Sequence, residues 1–259
     1  MDLQLANKVF LITGGSSGLG KALAAQLVGE GVGGVALMAR ERERLAATAS
    51  ELSDAGGDML AWPGDVTRVE DLAGFVESAT ERWGRIDGLV NNAGALAAGA
   101  FADHDDAIWE NDLELKLMGA VRLTRLALPA LRESRGAVLN TLAISGKAPE
   151  ALTTPTSVSR AAGLALTKAL SRELAPAGIR VNAILIGVIE SGQLERYAAE
   201  AGITPQAYYE RMVSSSGIPL GRVGHPQEYA NLAAFLLSER ASYVTGAAVN
   251  LDGGLCPVV

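Results

Sequence analysis

Short apolar runs recur along the chain, separated by stretches with helical periodicity. Lys8–Thr13 (KVFLIT) predicts a strand buried on both faces, and Leu19–Val28 predicts the helix that follows it. Gly34–Ala39 (GVALMA) is a second such run, and behind it, across Arg40–Asp54, Leu45, Ala49 and Leu52 fall at helical spacing. Met59–Pro63, Gly88–Val90, Ala137–Leu142 and Arg180–Ile186 repeat the pattern, and Ala247–Leu251 closes it. This alternation predicts an α/β fold: a Rossmann-type, doubly wound, mostly parallel sheet of about seven strands with helices on both faces. No repeat, low-complexity tract or linker interrupts it, so residues 1–259 are expected to form a single domain. The one irregular stretch is Gly187–Gly224, which carries Pro205, Pro219, Ser214–Ser216 and several glycines. A long connection of that kind predicts a mobile lid or specificity loop over a substrate site.

Composition narrows the classes of function. Hydrophobic residues make up 49% and charged residues 20%, which is the balance of a folded globular chain. A net charge of −7 offers no basic footprint for nucleic acid or an anionic membrane. The N-terminus lacks a basic segment followed by a long apolar run, and no apolar run approaches transmembrane length, so a soluble, cytoplasmic protein is expected. The single cysteine, Cys256, cannot form an internal disulfide. His104 lies in an acidic run and is expected to be exposed, and His225 before Pro226 is expected to cap a helix or lie at the surface. With one terminal cysteine these two separated histidines make no metal site.

The first predicted strand runs into Thr13-Gly14-Gly15-Ser16-Ser17-Gly18-Leu19-Gly20. A strand, a glycine turn and a helix start present free backbone N–H groups and the positive helix end to a pyrophosphate. Gly14 would permit the turn, Gly18 the approach of backbone to phosphate, and Gly20 the close packing of helix on strand. At the end of the next strand a carboxylate would grip the ribose 2′-hydroxyl of NAD, whereas an arginine suits the 2′-phosphate of NADP. Ala39 and Arg40 stand there, with Glu41 just beyond, so NADP(H) is favoured over NAD(H).

With these residues the chain resembles the short-chain dehydrogenase/reductase family, and the resemblance runs from about Leu5 to Gly254. Asp65-Val66 looks like the family's adenine-binding pair, and Asn91-Asn92-Ala93-Gly94 looks like its fourth-strand motif, which stabilises the sheet and lines the cofactor. Arg180-Val181-Asn182 is similar to its sixth strand, and Gly187-Val188-Ile189-Glu190-Ser191 to its nicotinamide-side loop, with Ser191 in the place of the usual threonine. Gly217–Gly224, Tyr243–Gly246 and Asp252-Gly253-Gly254 resemble its C-terminal segments. The resemblance implies hydride transfer between a nicotinamide and a carbonyl or alcohol. It also implies a homo-oligomer, a tetramer or a dimer, built on helices near Leu113–Arg132 and Ser157–Ala175. The small residues Ala161, Ala162, Gly163 and Ala165 would allow close helix approach there, or equally would pack on the chain's own sheet.

The family works with a Tyr-x-x-x-Lys pair, a serine thirteen positions before the tyrosine, and an asparagine on the preceding helix. The surroundings Ser157-Val158-Ser159 and Ala161-Ala162 place the tyrosine position at Thr156 and the lysine position at Arg160. The serine position falls on Ala143 and the asparagine position on Lys116, so all four are substituted. The five tyrosines, Tyr197, Tyr208, Tyr209, Tyr229 and Tyr243, all lie downstream, and no shift of register restores the pair. A threonine hydroxyl is far less acidic than a phenol, Ala143 offers no hydrogen bond, and Arg160 keeps a charge that it cannot pass on. Lys116 would bring an ammonium whose pKa burial and Arg160 could lower into a useful range, or it would simply pair with a carboxylate or lie along the helix surface. Ser145 and Lys147 past the fifth strand are candidate contacts to a small-molecule substrate, or equally loop polars, and Tyr208 and Tyr209 on the lid are candidates too, or hydrophobic cover. The mostly alanine and leucine stretch Ala93–Ala102 suggests an apolar wall. Three readings stand at this level: an oxidoreductase with a non-standard proton donor, a nucleotide-binding pseudoenzyme acting as sensor or partner subunit, and a non-redox enzyme in the same pocket.

Overall fold

The computed structural model describes every residue, 1–259. Its centre is one sheet of seven parallel strands: β1 (Val9–Thr13), β2 (Gly34–Ala39), β3 (Met59–Pro63), β4 (Gly88–Asn91), β5 (Ala137–Ala143), β6 (Arg180–Ile186) and β7 (Ala248–Leu251). They lie in the order β3-β2-β1-β4-β5-β6-β7. The strands read as unbroken apolar runs because helices cover both faces. In β1, Val9 and Leu11 pack with Leu72, Phe75, Leu123 and Leu131, while Phe10 and Ile12 point the other way, to Leu23, Leu27, Leu45 and Tyr229.

The first of these layers is supplied by α3 (Val69–Trp83), α5 (Gly119–Ser134) and the C-terminal end of α6 (Thr156–Glu173). The opposite layer is supplied by α1 (Gly18–Gly29), α2 (Arg42–Asp54) and α9 (Pro226–Leu237). A helix α4 (Asp106–Leu113) runs into α5 through a π-helical turn at Glu114–Met118. From β1 the chain winds outward to β3, then crosses back to β4 beside β1 and winds the other way. That reversal opens a crevice at the C-terminal ends of β1 and β4, where ligands bind in open α/β sheets. No helix is long and apolar enough to cross a membrane.

Two expectations need correction. Gly187–Gly224 is not irregular: it contains α7 (Gly192–Glu200) and α8 (Pro205–Ser216). Ser191 and Thr204 cap their N-termini, Pro205 occupies the first position of α8, and Gly217 closes it at φ +65°. Tyr209, Ile218 and Val223 give the segment a small core of its own, packed with Val188, Leu194 and Tyr208. Each helix buries only a few apolar side chains, too few to show as a periodic stripe. His104 is half-buried against Gly99 rather than exposed, whereas His225 does cap α9, with Glu228 completing the box.

Tyr229 joins α9 to the sheet. It is fully buried, and its hydroxyl lies 2.6 Å from Thr141 Oγ1 in β5. Tyr229→Phe leaves a buried threonine hydroxyl without its partner, so urea denaturation is expected to show a loss of about 1–3 kcal/mol. An unchanged midpoint and slope would show that this bond contributes nothing net.

Candidate functional site

The glycine turn is constrained by backbone geometry. Gly14 sits at φ +68° and Gly18 at φ +52°. A side chain at Gly20 would stand 2.3 Å from the Gly14 carbonyl oxygen, so α1 can approach the turn only with glycine there. Nothing lies within 4 Å of a Cβ built at Gly18, which faces open space. The turn is held from three sides. Gly14 and Gly15 donate to the Met38 carbonyl, Thr48 Oγ1 donates to the Ser16 carbonyl, and Asn92 Nδ2 donates to the carbonyls of Thr13 and Gly14.

The N-terminus of α1 carries neither a side-chain cap nor an acidic residue in its first turn. Its free N–H groups, with Ser16, Ser17, Gly18 and Leu19 around them, suit an anion. Arg40 is exposed at the end of β2 and makes no ion pair, because Glu41 is turned to Arg44. Asp65 is ordered by Thr67, whose N–H and hydroxyl both donate to Asp65 Oδ1, and Val66 beside it is buried.

Deeper in, Asn91 Nδ2 donates to Asn140 Oδ1 at 2.8 Å and to Thr124 Oγ1 at 3.2 Å, tying β4 to β5 and α5. Asn140 in turn donates to Thr167 of α6. Ala93 donates its N–H to Thr13 Oγ1. A side chain at Gly94 would come within 2.7 Å of Arg160 Nη2. Across the crevice a Cβ at Gly187 would meet Asp252 at 2.7 Å. Ile189 buries its side chain, and its N–H has no acceptor within the chain, because the bridge to Gly224 uses Val188 and Glu190. Ser191 Oγ accepts from Leu194 N–H. The free α1 N-terminus, the open face at Gly18, the unpaired Arg40 and the free Ile189 N–H together fit a dinucleotide.

At the inner end of the crevice lies a narrow cleft of about 20 Å³, lined by Thr13, Asn91, Ala93, Lys116, Thr141 and Arg160 among others. The structure brings Lys116, Thr156 and Arg160 together here, with Ala143 at the end of β5. The π turn carries Lys116, which is buried, and its Nζ donates to Asp112 Oδ1 and, at 2.7 Å, to Thr156 Oγ1. Two of three ammonium N–H groups are thereby used and one remains. Burial pushes the ammonium down to about 8; the bond to Asp112 opposes that, and the Arg160 charge adds to it.

Thr156 Oγ1 accepts from Lys116 and from Ala97 N–H and donates to the Ala97 carbonyl at 2.8 Å, so its only proton is taken. Arg160 Nη1 donates to the Thr141 carbonyl at 2.8 Å, and burial brings its guanidinium down to about 10, with Asp112 opposing. The other predicted contacts are dispersed. Ser145 is half-buried with its hydroxyl free, whereas Lys147 Nζ is bound to Ala248 and Asn250 of β7, outside this cluster. Tyr209 is buried in the lid core, where burial and the charges of Glu195 and Glu190 raise its phenol. Tyr208 is half-buried beside it. The residue that sequence reasoning missed is Asp112, whose one signal was its position a helical turn before Lys116.

A doubly wound parallel sheet with a glycine turn at its switch point is the scaffold of a dinucleotide-binding protein. Residues 14–256 match the family model described as enoyl-(acyl carrier protein) reductase. The chain is 36% identical to the monensin polyketide synthase putative ketoacyl reductase of Streptomyces virginiae, covering 97% of this chain and 98% of the relative. It superposes on L-sorbose reductase from Gluconobacter frateurii, complexed with NADPH and L-sorbose, with TM-score 0.94, 33% identity and full coverage of both chains. A similar match is the NADPH-bound short-chain oxidoreductase from Pseudomonas aeruginosa PAO1 containing an atypical catalytic center, with TM-score 0.93, 35% identity and 98% and 99% coverage. The chain belongs to the short-chain dehydrogenase/reductase family and is an oxidoreductase of that family.

Proposed function

We propose that the protein is an NADP(H)-dependent oxidoreductase that interconverts a carbonyl and an alcohol, with Lys116 as proton donor in place of the family's tyrosine. The observation that carries this reading is the buried Lys116 ammonium, held by Asp112 and Thr156 with one N–H to spare, at the inner end of the nucleotide crevice. NADPH, when bound, supplies the hydride. The α1 N-terminus with Ser16, Ser17, Gly18 and Leu19 would hold its pyrophosphate, Arg40 its 2′-phosphate, Asp65 and Val66 its adenine, and Asn91, Ala93, Gly94 and Arg160 the ribose side. Gly187, Ile189 and Ser191 would face the carboxamide. Relatives that bind NADPH support the phosphate reading.

The proton must come from elsewhere than Thr156, whose hydroxyl is committed to the Ala97 carbonyl. Lys116 retains an N–H, and its lowered pKa makes it a better donor at neutral pH than an ordinary lysine. Ala143 gives no hydrogen bond to a substrate oxygen, so the free Ser145 hydroxyl takes that place in this reading, with Tyr208 covering from the lid. A groove of about 330 Å³ lined mainly by Ala95, Leu96, Ala97, Ala107, Ile108 and Leu115, with Asp105, Asn111 and Asp112 as its polar members, supports a substrate with an apolar chain next to its carbonyl. A homo-oligomer is part of the proposal: Val158, Ala161 and Ala165 expose a small apolar face of α6, whereas Gly163 is spent on the chain's own Leu142.

Fluorescence titration with NADPH and NADH, followed by turnover of a carbonyl panel, tests the proposal. NADPH is expected to bind more tightly, with slow turnover of small ketones and faster turnover as an apolar chain is added. Binding without any turnover would favour the nucleotide-binding pseudoenzyme, and failure to bind either nucleotide would remove the site.

A further inference from the structure

We propose that Asp112 is a positioning residue whose carboxylate holds the Lys116 ammonium in place in its charged form; the catalytic consequence rests on Lys116 being the proton donor. Asp112 is 3% exposed on α4, one helical turn before Lys116. Its Oδ1 accepts from Lys116 Nζ and lies 3.5 Å from Thr156 Oγ1, while its Oδ2 is buried without any partner. A carboxylate left half-satisfied in the interior is costly for the fold. Packing does not call for it either: the groove beside it is lined mainly by Ala95, Leu96, Ala97, Ile108 and Leu115, and its polar members Asp105 and Asn111 make no hydrogen bond to Asp112. Its one strong partner is Lys116.

The charge balance of the site shows what the carboxylate does. The charged groups that bear on Lys116 are Asp112 from α4 and Arg160 from α6. Glu114 on the same π turn is occupied with Arg122 of α5. Without Asp112 two buried cations would face each other with no anion between them, and Lys116, the one of the pair that can lose its proton, would become neutral. A neutral amine cannot protonate a carbonyl oxygen. In reduction the Lys116 Nζ–H bond breaks as the substrate O–H bond forms, and water returns a proton to the amine afterwards. Asp112 keeps the ammonium populated at neutral pH and fixes which N–H remains free.

The chain has five lysines, so protein carrying lysine labelled with ¹³C at Cε gives few signals, and that of Lys116 is assigned by its loss in Lys116→Met. In Asp112→Asn the Lys116 midpoint is expected to fall by about 1–3 pH units. Asp112→Glu should keep it near its original value. Asp112→Ser, which leaves room for a water, carries the same expectation as Asp112→Asn and serves if the amide variant does not fold. An unchanged midpoint in folded Asp112→Asn or Asp112→Ser overturns the proposal. The pH profile of NADPH-dependent reduction is read in parallel, and its alkaline limb should move down with the midpoint. If the midpoint moves and the limb does not, the hold of Asp112 on Lys116 stands and Lys116 as donor falls.

Discussion

Lys116→Met is expected to slow carbonyl reduction by about 10²–10⁴, the usual worth of a positioned proton donor. The thioether occupies similar space but has no proton to give, and Thr156 cannot take over while its hydroxyl donates to the Ala97 carbonyl. The loss should appear in kcat, with the NADPH dissociation constant nearly unchanged, because Lys116 lies at the inner end of the crevice rather than at the phosphate turn. The variant also leaves Asp112 buried without its cation, which costs about 3–5 kcal/mol of stability, so assays belong well below the melting temperature. With Lys116 as the donor, reduction by the unsubstituted protein would require its charged form. With its pKa lowered to about 8, the rate should be level below that pH and fall as pH rises through it. Alcohol oxidation needs the neutral amine and should rise over the same interval. Reduction by Lys116→Met at the original rate, with the same pH profile, would rule Lys116 out and turn attention to Tyr208 and Ser145.

Arg40→Ala is expected to weaken NADPH binding by roughly 10–150-fold and to leave NADH nearly unaffected. One charge-assisted hydrogen-bonded contact is worth about 1.5–3 kcal/mol, and each 1.4 kcal/mol is about tenfold in affinity. The structure favours a large effect, since Arg40 is paired with no acid of its own that it would have to leave. Because the guanidinium is exposed, the difference between the two nucleotides should shrink as salt is added. Isothermal titration of both proteins with both nucleotides at two salt concentrations is sufficient. Equal losses for NADPH and NADH would mean that Arg40 shapes the turn rather than holding a phosphate.

The parallel sheet was legible in the chain because its strands are buried on both faces. KVFLIT and GVALMA are apolar throughout, and their boundaries fall within a residue or two of β1 and β2. The glycine turn was legible for a related reason: Gly14 and Gly18 adopt a positive φ that glycine takes without strain, and Gly20 touches backbone, where no side chain fits. The lid was read less well. Its Thr204-Pro205 start and Gly217 stop are ordinary helix signals, but its few buried side chains, Tyr209 and Ala198 among them, give no stripe to confirm them. Lys147 looked like a substrate contact from its place after the fifth strand, yet it is bound to β7, which arrives from a hundred residues away.

The sequence alone determined the sheet, the crevice at its switch point and the family. These follow from local rules: periodicity, φ sign, and the order of motifs along the chain. The two local alternatives for Lys116, a pair with a carboxylate or a place in the pocket, were settled only by the tertiary structure, which shows that both hold at once. Lys116 sits on a π turn, so its pairing with Asp112 on the preceding helix shows only once that turn is seen. Likewise the use of the Thr156 proton by Ala97, 59 residues away in sequence, depends on how α6 meets the loop after β4. Burial, which sets the pKa of Lys116, is a property of everything packed around it and belongs to no single stretch of chain.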